Sequence, residues 1–400
     1  MFVEFNETPH CDHQLTCNAE ESDTRIWLHV INSAGRKKLV LSPDTDVYHI
    51  GLPFVTGTSL DVMVKLSPFN SLEQRLLDMQ ALITAFANDP DLALFPQCLS
   101  PSIIQMLYVC TGCDFISFFN GFGKASFLAT LFEYCEFICS NSEQAPGTLA
   151  DTDPDSNGIL SFLRLVGCTY FRKHKAAFLP TYQTPIALFN SLAKDNQTPL
   201  AHHSAWLEFL RERVWSRIKY EEEMIPSDDA LIRHWKRSCW VVSVWSQATL
   251  NHITYPPLDG HGWKQDQNTL QIDWDSEENI SQVRTRVALL KKGCGCKTGC
   301  LTARCKCRKS NNHCGPGCKC LSCCNVPKEV SPGLLNVEED ENMNSSSDSD
   351  DDLEEEVNDI VFGGYDSDYS EKSTHDSGEE ADSDTDINTS DDYMDVDLAR

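Results

Sequence analysis

The sequence contains no run of about eighteen apolar residues, so no segment reads as a membrane-spanning helix. It also lacks a basic start leading into an apolar stretch and a small-residue cleavage site, and no secretory leader is expected. Without those features its 19 cysteines do not predict an extracellular disulfide framework. The reading that follows is a soluble protein of the reducing intracellular space, without a membrane partner, whose clustered cysteines bind metal. No internal repeat occurs outside one cysteine-rich segment. Two further absences are local. Asp and Glu are missing between residues 291 and 325, and basic side chains are nearly missing between Glu338 and Arg400, where 25 acidic residues face only Lys372 and Arg400.

That tail supplies −23 of the formal −27 charge, so the remainder of the chain is close to neutral. The global acidity does not exclude a nucleic-acid partner, because segregated charges act locally. Four hundred residues with 41% hydrophobic content leave room for two or three domains with real cores.

Along the first part, apolar spacing predicts helices over 23–34, 71–87, 102–110 and 124–138, and strands over 38–42 and 61–66. Pro43-Asp44-Thr45-Asp46 reads as a loop. Strands alternating with helices imply an α/β layer. The stretch 141–158 has the turn and acidic residues of a surface linker. Helices are then expected over 159–175, 185–194, 205–223 and 228–249, with Trp206, Phe209, Trp215, Trp235, Trp240 and Trp245 as core. Residues 251–275 read as an ordered loop that packs Trp263 and Trp274 on those helices.

From Cys294 the spacing is C-x-C-x3-C-x4-C-x-C-x6-C-x3-C-x-C-x2-C, which nominates Cys294, Cys296, Cys300, Cys305, Cys307, Cys314, Cys318, Cys320 and Cys323 as metal ligands. Structural zinc takes four thiolate or imidazole ligands. Nine sulfurs fill the coordination positions of three Zn²⁺ ions when three of them each bridge two metals. A module of about 30 residues whose only large apolar side chains are Leu301 and Leu321 cannot bury a core, so metal must supply most of its folding energy. Cys324 is left over. Lys291, Lys292, Lys297, Arg304, Lys306, Arg308, Lys309 and Lys319 give the segment a cationic surplus that suits a phosphate backbone. The plainer alternative is a zinc knob that solvates its charges or binds protein.

The run GCGCKTGCLTARCKCRKSNNHCGPGCKCLSCCN resembles the CXC module of tesmin and TSO1-like proteins, which is a DNA-binding zinc cluster. The resemblance implies DNA as partner, a nuclear location, and DNA contacts from Lys297, Arg304, Lys306, Arg308, Lys309 and Lys319. That family carries two modules, each with a Tyr before its fourth Cys that enters the minor groove. Here there is one module and Arg304 stands in that place. An Arg also enters a narrow A·T-rich minor groove, where the potential is most negative.

Carboxylates form the second constellation. Glu21-x-Asp23 begins a helix, Asp44-x-Asp46 follows a strand, and Asp114 precedes a turn bearing Gly121 and Gly123. Singly, each acid is ordinarily a helix cap or turn residue. Together, in this order, they resemble the internal half of the flap-endonuclease branch of PIN-like nucleases. The resemblance implies Mg²⁺ or Mn²⁺ ligand roles for Glu21, Asp23, Asp44, Asp46 and Asp114 if the domain is active, and close approach of a DNA phosphate to Gly121 and Gly123. The family's first strand, with its own Asp, has no counterpart in the residues before Glu21, so an N-terminally incomplete domain is expected. Cys11, His13 and Cys17 make only a weak metal-ligand pattern.

The expected organisation is an incomplete PIN-like, Rossmann-like α/β domain over 1–140, a linker over 141–158, a helical extension over 159–290, a trinuclear zinc-cluster module over 291–325 and a disordered acidic tail over 326–400. Serines beside acids in that tail suit acid-directed kinases, and its charge suits histones or other basic proteins. Zinc-dependent DNA binding with a degenerate nuclease-like domain is the leading expectation. A metal-dependent, structure-specific nuclease targeted by the module, of mobile-element descent, and a chromatin adaptor are the alternatives.

Overall fold

A computed structural model describes residues 15–19, 21–67, 75–88, 101–215, 217–218, 221–266, 269–291, 293–297, 299–315, 317–320 and 323–326. Cys11, His13, Leu321, the start of the 71–87 helix and the acidic tail lie outside these residues. The described residues are mixed α/β, with about half of them in helices and only small sheets. Among them no helix is long and apolar enough to cross a membrane.

The first layer runs α1 (Ser22–Asn32), β1 (Lys37–Leu41), α2 (Thr45–Val55), β2 (Asp61–Lys65), β3 (Leu76–Asp78) and α3 (Met79–Asn88). Strands β1 and β2 pair in parallel with Lys37 opposite Asp61, and α2 is the crossover between them. Strand β3 pairs antiparallel on the other side of β2, with Leu76 opposite Lys65. Alternation along β1 buries Lys38 and Val40 while Leu39 and Leu41 stay exposed, so one sheet face carries the core. Helix α1 is pinned to α2 by Trp27, whose Nε1 donates to the Val47 carbonyl at 2.7 Å. The fit leaves no room at Gly51, where a Cβ would stand 1.7 Å from the Trp27 indole.

Helix α4 (Pro101–Cys110) is buried from Ile103 to Cys110 and packs against α2 and the later α10 (Asp228–Trp245). Short helices α5 (Lys124–Glu133) and α6 (Cys135–Ile138) lead to α7 (Gly158–Lys173), which is buried on nearly every side. Helices α8 (Pro185–Ser191) and α9 (Pro199–Trp215) pack on α7, and a hairpin of β4 (Trp263–Asp266) and β5 (Thr269–Ile272) precedes α11 (Glu277–Lys291). A last short helix, α12 (Lys306–Lys309), lies in the cysteine segment. Every described residue belongs to one compact unit.

Several expectations need correction. Asp44 is not mid-loop but the N-cap of α2, its Oδ1 accepting from the Asp46 amide at 2.9 Å, so Asp46 already sits in the helix. Residues 76–78 leave the expected helix because their amides and carbonyls pair with β2. The 124–138 helix breaks at Tyr134, where φ is −122°. Helix α9 starts at Pro199, with the Thr198 hydroxyl accepting from the Ala201 amide at 3.3 Å, and ends at Trp215 instead of continuing to 223. Trp263 packs on Trp240 at 5.3 Å between ring centroids, as expected, whereas Trp274 is 53% exposed. Against the expectation of reduced thiols, Cys135 is disulfide-bonded.

The 141–158 stretch is not a linker but a docked loop with Ala145 and Leu149 buried. Arg164 of α7 holds it. Its fully buried guanidinium donates to the carbonyls of Ile138 (2.9 Å), Ser140 (3.2 Å), Pro146 (3.0 Å) and Gly147 (2.8 Å), and reaches His203 Nε2 at 3.0 Å. Turn-rich composition shows the solvent-like character of the loop but not the cation beneath it. Replacing Arg164 with Met orphans several buried acceptors at once. We expect a loss of about 3 kcal/mol or more in denaturant unfolding. A loss under about 1 kcal/mol would sink the assignment.

His234 of α10 is buried, its Nε2 donating to the Cys110 carbonyl at 2.8 Å and its ring stacked on Phe162 at 5.6 Å between centroids. Burial, opposed by that carbonyl and aided by the Arg237 charge, lowers its pKa from 6.5 to about 4. The folded state therefore resists protonation that the unfolded chain accepts. Stability is fully present above pH 6.5 and is lost as pH falls toward 4, by about 3 kcal/mol from this group. His234→Gln should flatten that part of the stability profile, and an unchanged profile would show that another group carries it.

Candidate metal centre

The thiols of the cysteine segment converge. Cys294, Cys300, Cys305 and Cys314 form one group; Cys294, Cys307, Cys314 and Cys318 a second; Cys300, Cys314, Cys320 and Cys323 a third, the sulfurs of each within 4.8 Å of one another. These are eight of the nine nominated ligands. Cys296, the ninth, places its thiol in interaction with those of Cys300, Cys294 and Cys305. Cys324 is exposed and outside the groups. Closest sulfur pairs are 3.4 Å (Cys307 and Cys318) to 3.8 Å (Cys294 and Cys300), beyond the ~2.05 Å of a disulfide.

Backbone turns bring the sulfurs together. Cys305 caps α12 and Cys307 lies inside it, with the Lys309 amide donating to the Cys305 carbonyl at 2.9 Å. The Lys319 amide donates to the Cys294 carbonyl at 2.7 Å, joining the two ends of the segment. Cys300 takes φ 55°, a left-handed conformation uncommon for a side-chain-bearing residue and costly unless the surroundings enforce it. Asn325, which the sequence reading passes over, is buried and donates to the Asn312 carbonyl at 2.8 Å and to Cys314 Sγ at 3.5 Å.

So many thiols in one place cannot ionise together unaided. Burial drives the Cys300, Cys307 and Cys314 thiols well above their ordinary range. Cys294 is also pushed up by burial, but the Cys296 amide and the Cys314 and Cys305 thiols outweigh this and bring it to about 6. A cation at the centre would remove the conflict, since metal binding deprotonates its thiols. A soft all-sulfur donor set fits zinc or another thiophilic metal ion.

The segment is not a free knob. Glu212 of α9 pairs with Arg286 of α11 at 2.6 Å and with His313 Nδ1 at 2.5 Å. Burial raises the Glu212 carboxyl, but the His313 hydrogen bond and the Arg286 charge outweigh it and hold the group below its ordinary range. Trp215 Nε1 donates to the His313 carbonyl at 3.2 Å, and Arg286 Nε donates to Asn312 Oδ1 at 3.3 Å. Gly317 lies against α11, where a Cβ would meet the Leu290 carbonyl at 2.3 Å. None of these partners was nominated from sequence. A helical Glu and Arg 74 positions apart carry no local signal of pairing.

Lys297, Arg304, Lys306, Arg308, Lys309 and Lys319 are all exposed, as is Leu301. The contacts that dock the segment use Asn312, His313 and Gly317 and leave these cations in solvent.

The carboxylates gather more loosely. Asp23, Asp44, Asp46 and Asp114 sense one another's charge. Burial, reinforced by Asp44 and Asp114, raises Asp23; burial also pushes Asp46 up to about 6, against the Tyr108 hydroxyl and with Asp44 and Asp114 adding to the rise. Tyr108 donates to Asp46 Oδ1 at 2.5 Å, Asp44 is occupied as a helix cap, and Lys124 brings its own charge to Asp46 and Asp114. Glu21 is exposed at the N-cap of α1. Among the described residues no three carboxylates bring ligand atoms within 4.8 Å, so the donor set does not fit a preformed pair of hard cations. Asp114 sits exposed on a tight turn closed by reciprocal 3.0 Å hydrogen bonds between Cys113 and Ile116. Gly121 (φ 77°) accepts from Lys173 Nζ at 2.8 Å, and Gly123 has open space beside it.

No protein-family model, no curated protein and no solved structure matches the chain. The CXC-like and PIN-like resemblances therefore rest on the residues themselves.

The docking contacts predict two separable losses. Glu212→Ala leaves Arg286 and His313 without their carboxylate and should lower stability by about 2 kcal/mol while metal content stays unchanged. Chelation should instead collapse the cysteine segment and also lower the melting temperature of the helices it packs on. Helices that melt at the same temperature with and without chelator would contradict the docking.

Proposed function

We propose that this protein binds DNA in the nucleus through a zinc-dependent cysteine module, beside a nuclease-like domain that has lost catalysis. The observation that carries the reading is the exposed set Lys297, Arg304, Lys306, Arg308, Lys309 and Lys319, on a segment without one acidic residue and docked by other residues. Cations held on a rigid metal-folded frame meet a phosphate backbone without the entropy cost of ordering long side chains on a loose loop. Arg304 precedes Cys305 and is the residue suited to a narrow minor groove.

The sulfur groups support three zinc ions. Cys314 falls in all three groups, one more than a bridging sulfur serves. Assigning Cys296 to the first group in its place gives sites of Cys294, Cys296, Cys300 and Cys305; Cys294, Cys307, Cys314 and Cys318; and Cys300, Cys314, Cys320 and Cys323. Cys294, Cys300 and Cys314 would then each belong to two sites, and each site would offer a zinc ion four thiolates. The acidic tail, by its charge, suits histones or other basic proteins.

A nuclease is the second reading, favoured by the mutual electrostatic coupling of Asp23, Asp44, Asp46 and Asp114. It ranks below because those groups are capped, hydrogen-bonded or faced by Lys124 and do not converge on a cation.

One experiment separates the readings. The full zinc-loaded chain should retard duplex DNA at low salt, with affinity falling steeply as salt rises. Lys306→Glu with Arg308→Glu should weaken binding by roughly tenfold or more, and Cys305→Ser should release metal and abolish it. Flap and hairpin DNA with Mg²⁺ or Mn²⁺ should remain uncut. Binding indifferent to both sets of substitutions would remove the module from the mechanism, and cleavage lost in Asp44→Ala/Asp46→Ala would promote the nuclease reading.

A further inference from the structure

The turn that presents Asp114 continues into Phe118, an aromatic side chain left 74% exposed. Phe118 and the exposed Trp274 share a cavity of about 250 Å³ between the 117–120 segment, α7 and α10. The Arg237 guanidinium lies over the Trp274 ring at 5.5 Å and is held there by the Gly262 and Asp273 carbonyls, each at 3.1 Å. Ser117 and Asn120 add neutral hydrogen-bonding groups. Among the described residues no Asp or Glu lines the cavity. Of the two carboxylates that flank Trp274 in sequence, Asp273 is engaged by Lys264 at 2.7 Å and Arg233 at 2.9 Å, and Asp275 accepts from the Ser227 hydroxyl at 2.6 Å and the Asn279 amide at 2.9 Å.

Two exposed flat rings, one backed by a guanidinium, around a small cavity with neutral polar groups describe a surface that accepts another flat ring and its hydrogen-bonding edge. Tyr170 of the lining packs on Phe122 at 4.4 Å between ring centroids, and Lys173 Nζ lies over the Phe122 ring at 4.2 Å while donating to the Gly121 carbonyl at 2.8 Å. We propose that this cleft seats one unstacked base of single-stranded DNA against Phe118 and Trp274. The proposal rests on the DNA-binding reading and gives the molecule a second, single-strand contact apart from the cysteine module. Charge decides between a nucleotide and an uncharged aromatic partner: among the described residues the cleft is lined by Arg237 and by no carboxylate.

The test uses the full zinc-loaded chain with two probes at low salt, a short thymine oligonucleotide and a closed duplex hairpin. Phe118→Ala and Trp274→Ala should each weaken oligonucleotide binding by roughly tenfold, since stacking is contributed per base, and leave hairpin binding within about twofold of wild type. Phe118→Tyr and Trp274→Tyr, which retain a ring, should restore it. Both positions are exposed, and melting curves of the variants check that the fold persists. If the wild type binds neither probe, the DNA reading fails and the cleft proposal with it. If it binds both and the alanine variants leave oligonucleotide affinity unchanged, or weaken hairpin binding equally, the cleft proposal alone is overturned and an aromatic-bearing peptide becomes the occupant to examine.

Discussion

The cysteine segment depends on one electrostatic constraint. Sulfurs grouped within 4.8 Å cannot all carry charge unless a cation stands among them, and the burial of Cys294, Cys300, Cys305, Cys307 and Cys314 in the hydrophobic core adds to the cost of charging them. The fold answers with backbone: the Lys319 amide on the Cys294 carbonyl, the Cys314 amide on the Asn325 carbonyl, and Cys300 in a left-handed turn. These bonds set where the sulfurs point, but each contributes little net stability alone. A metal ion held among these sulfurs would turn that arrangement into a rigid one.

The same constraint reaches into the helical body. Glu212 is bonded on one side to Arg286 of α11 and on the other to His313, which immediately precedes the ligand Cys314. The position of Cys314, shared by every sulfur group, is thus tied to helices α9 and α11. What the spacing presents as an independent module is, in three dimensions, a corner of the larger fold. Orientation of the cationic surface is then set by that fold and not by a flexible tether.

Legibility in the sequence followed the range of the interactions. The cysteine cluster was legible because metal chemistry imposes short spacings, and eight of the nine nominated cysteines fall in groups that could hold a metal ion. Helices α4, α7 and α10 were legible because burial imposes a period on apolar residues. Arg164 gathering four carbonyls across the 138–147 loop was not, since a lone Arg in an apolar helix has no periodic signature. Nor was the Glu212 bridge, or the exposure of Trp274, which was expected to pack on the helices. In each miss the deciding partner lies far along the chain.

The carboxylates show the limit of motif order as an argument. Their order along the sequence only resembles that of a metal-dependent nuclease, and the fold brings Asp23, Asp44, Asp46 and Asp114 into one electrostatic neighbourhood. A metal centre asks for more: unengaged oxygens converging on a point. Here Asp44 caps a helix, Asp46 accepts from Tyr108, and Lys124, stacked over the Tyr108 ring at 4.4 Å, supplies positive charge from within the protein. Burial lowers the Lys124 pKa, against the opposing pull of its neighbours, among them the Asp46 and Asp114 carboxylates, which help keep the ammonium charged. An internal cation that is covalently part of the chain is present at fixed stoichiometry, and it relieves the mutual repulsion that would otherwise draw a divalent ion to these acids.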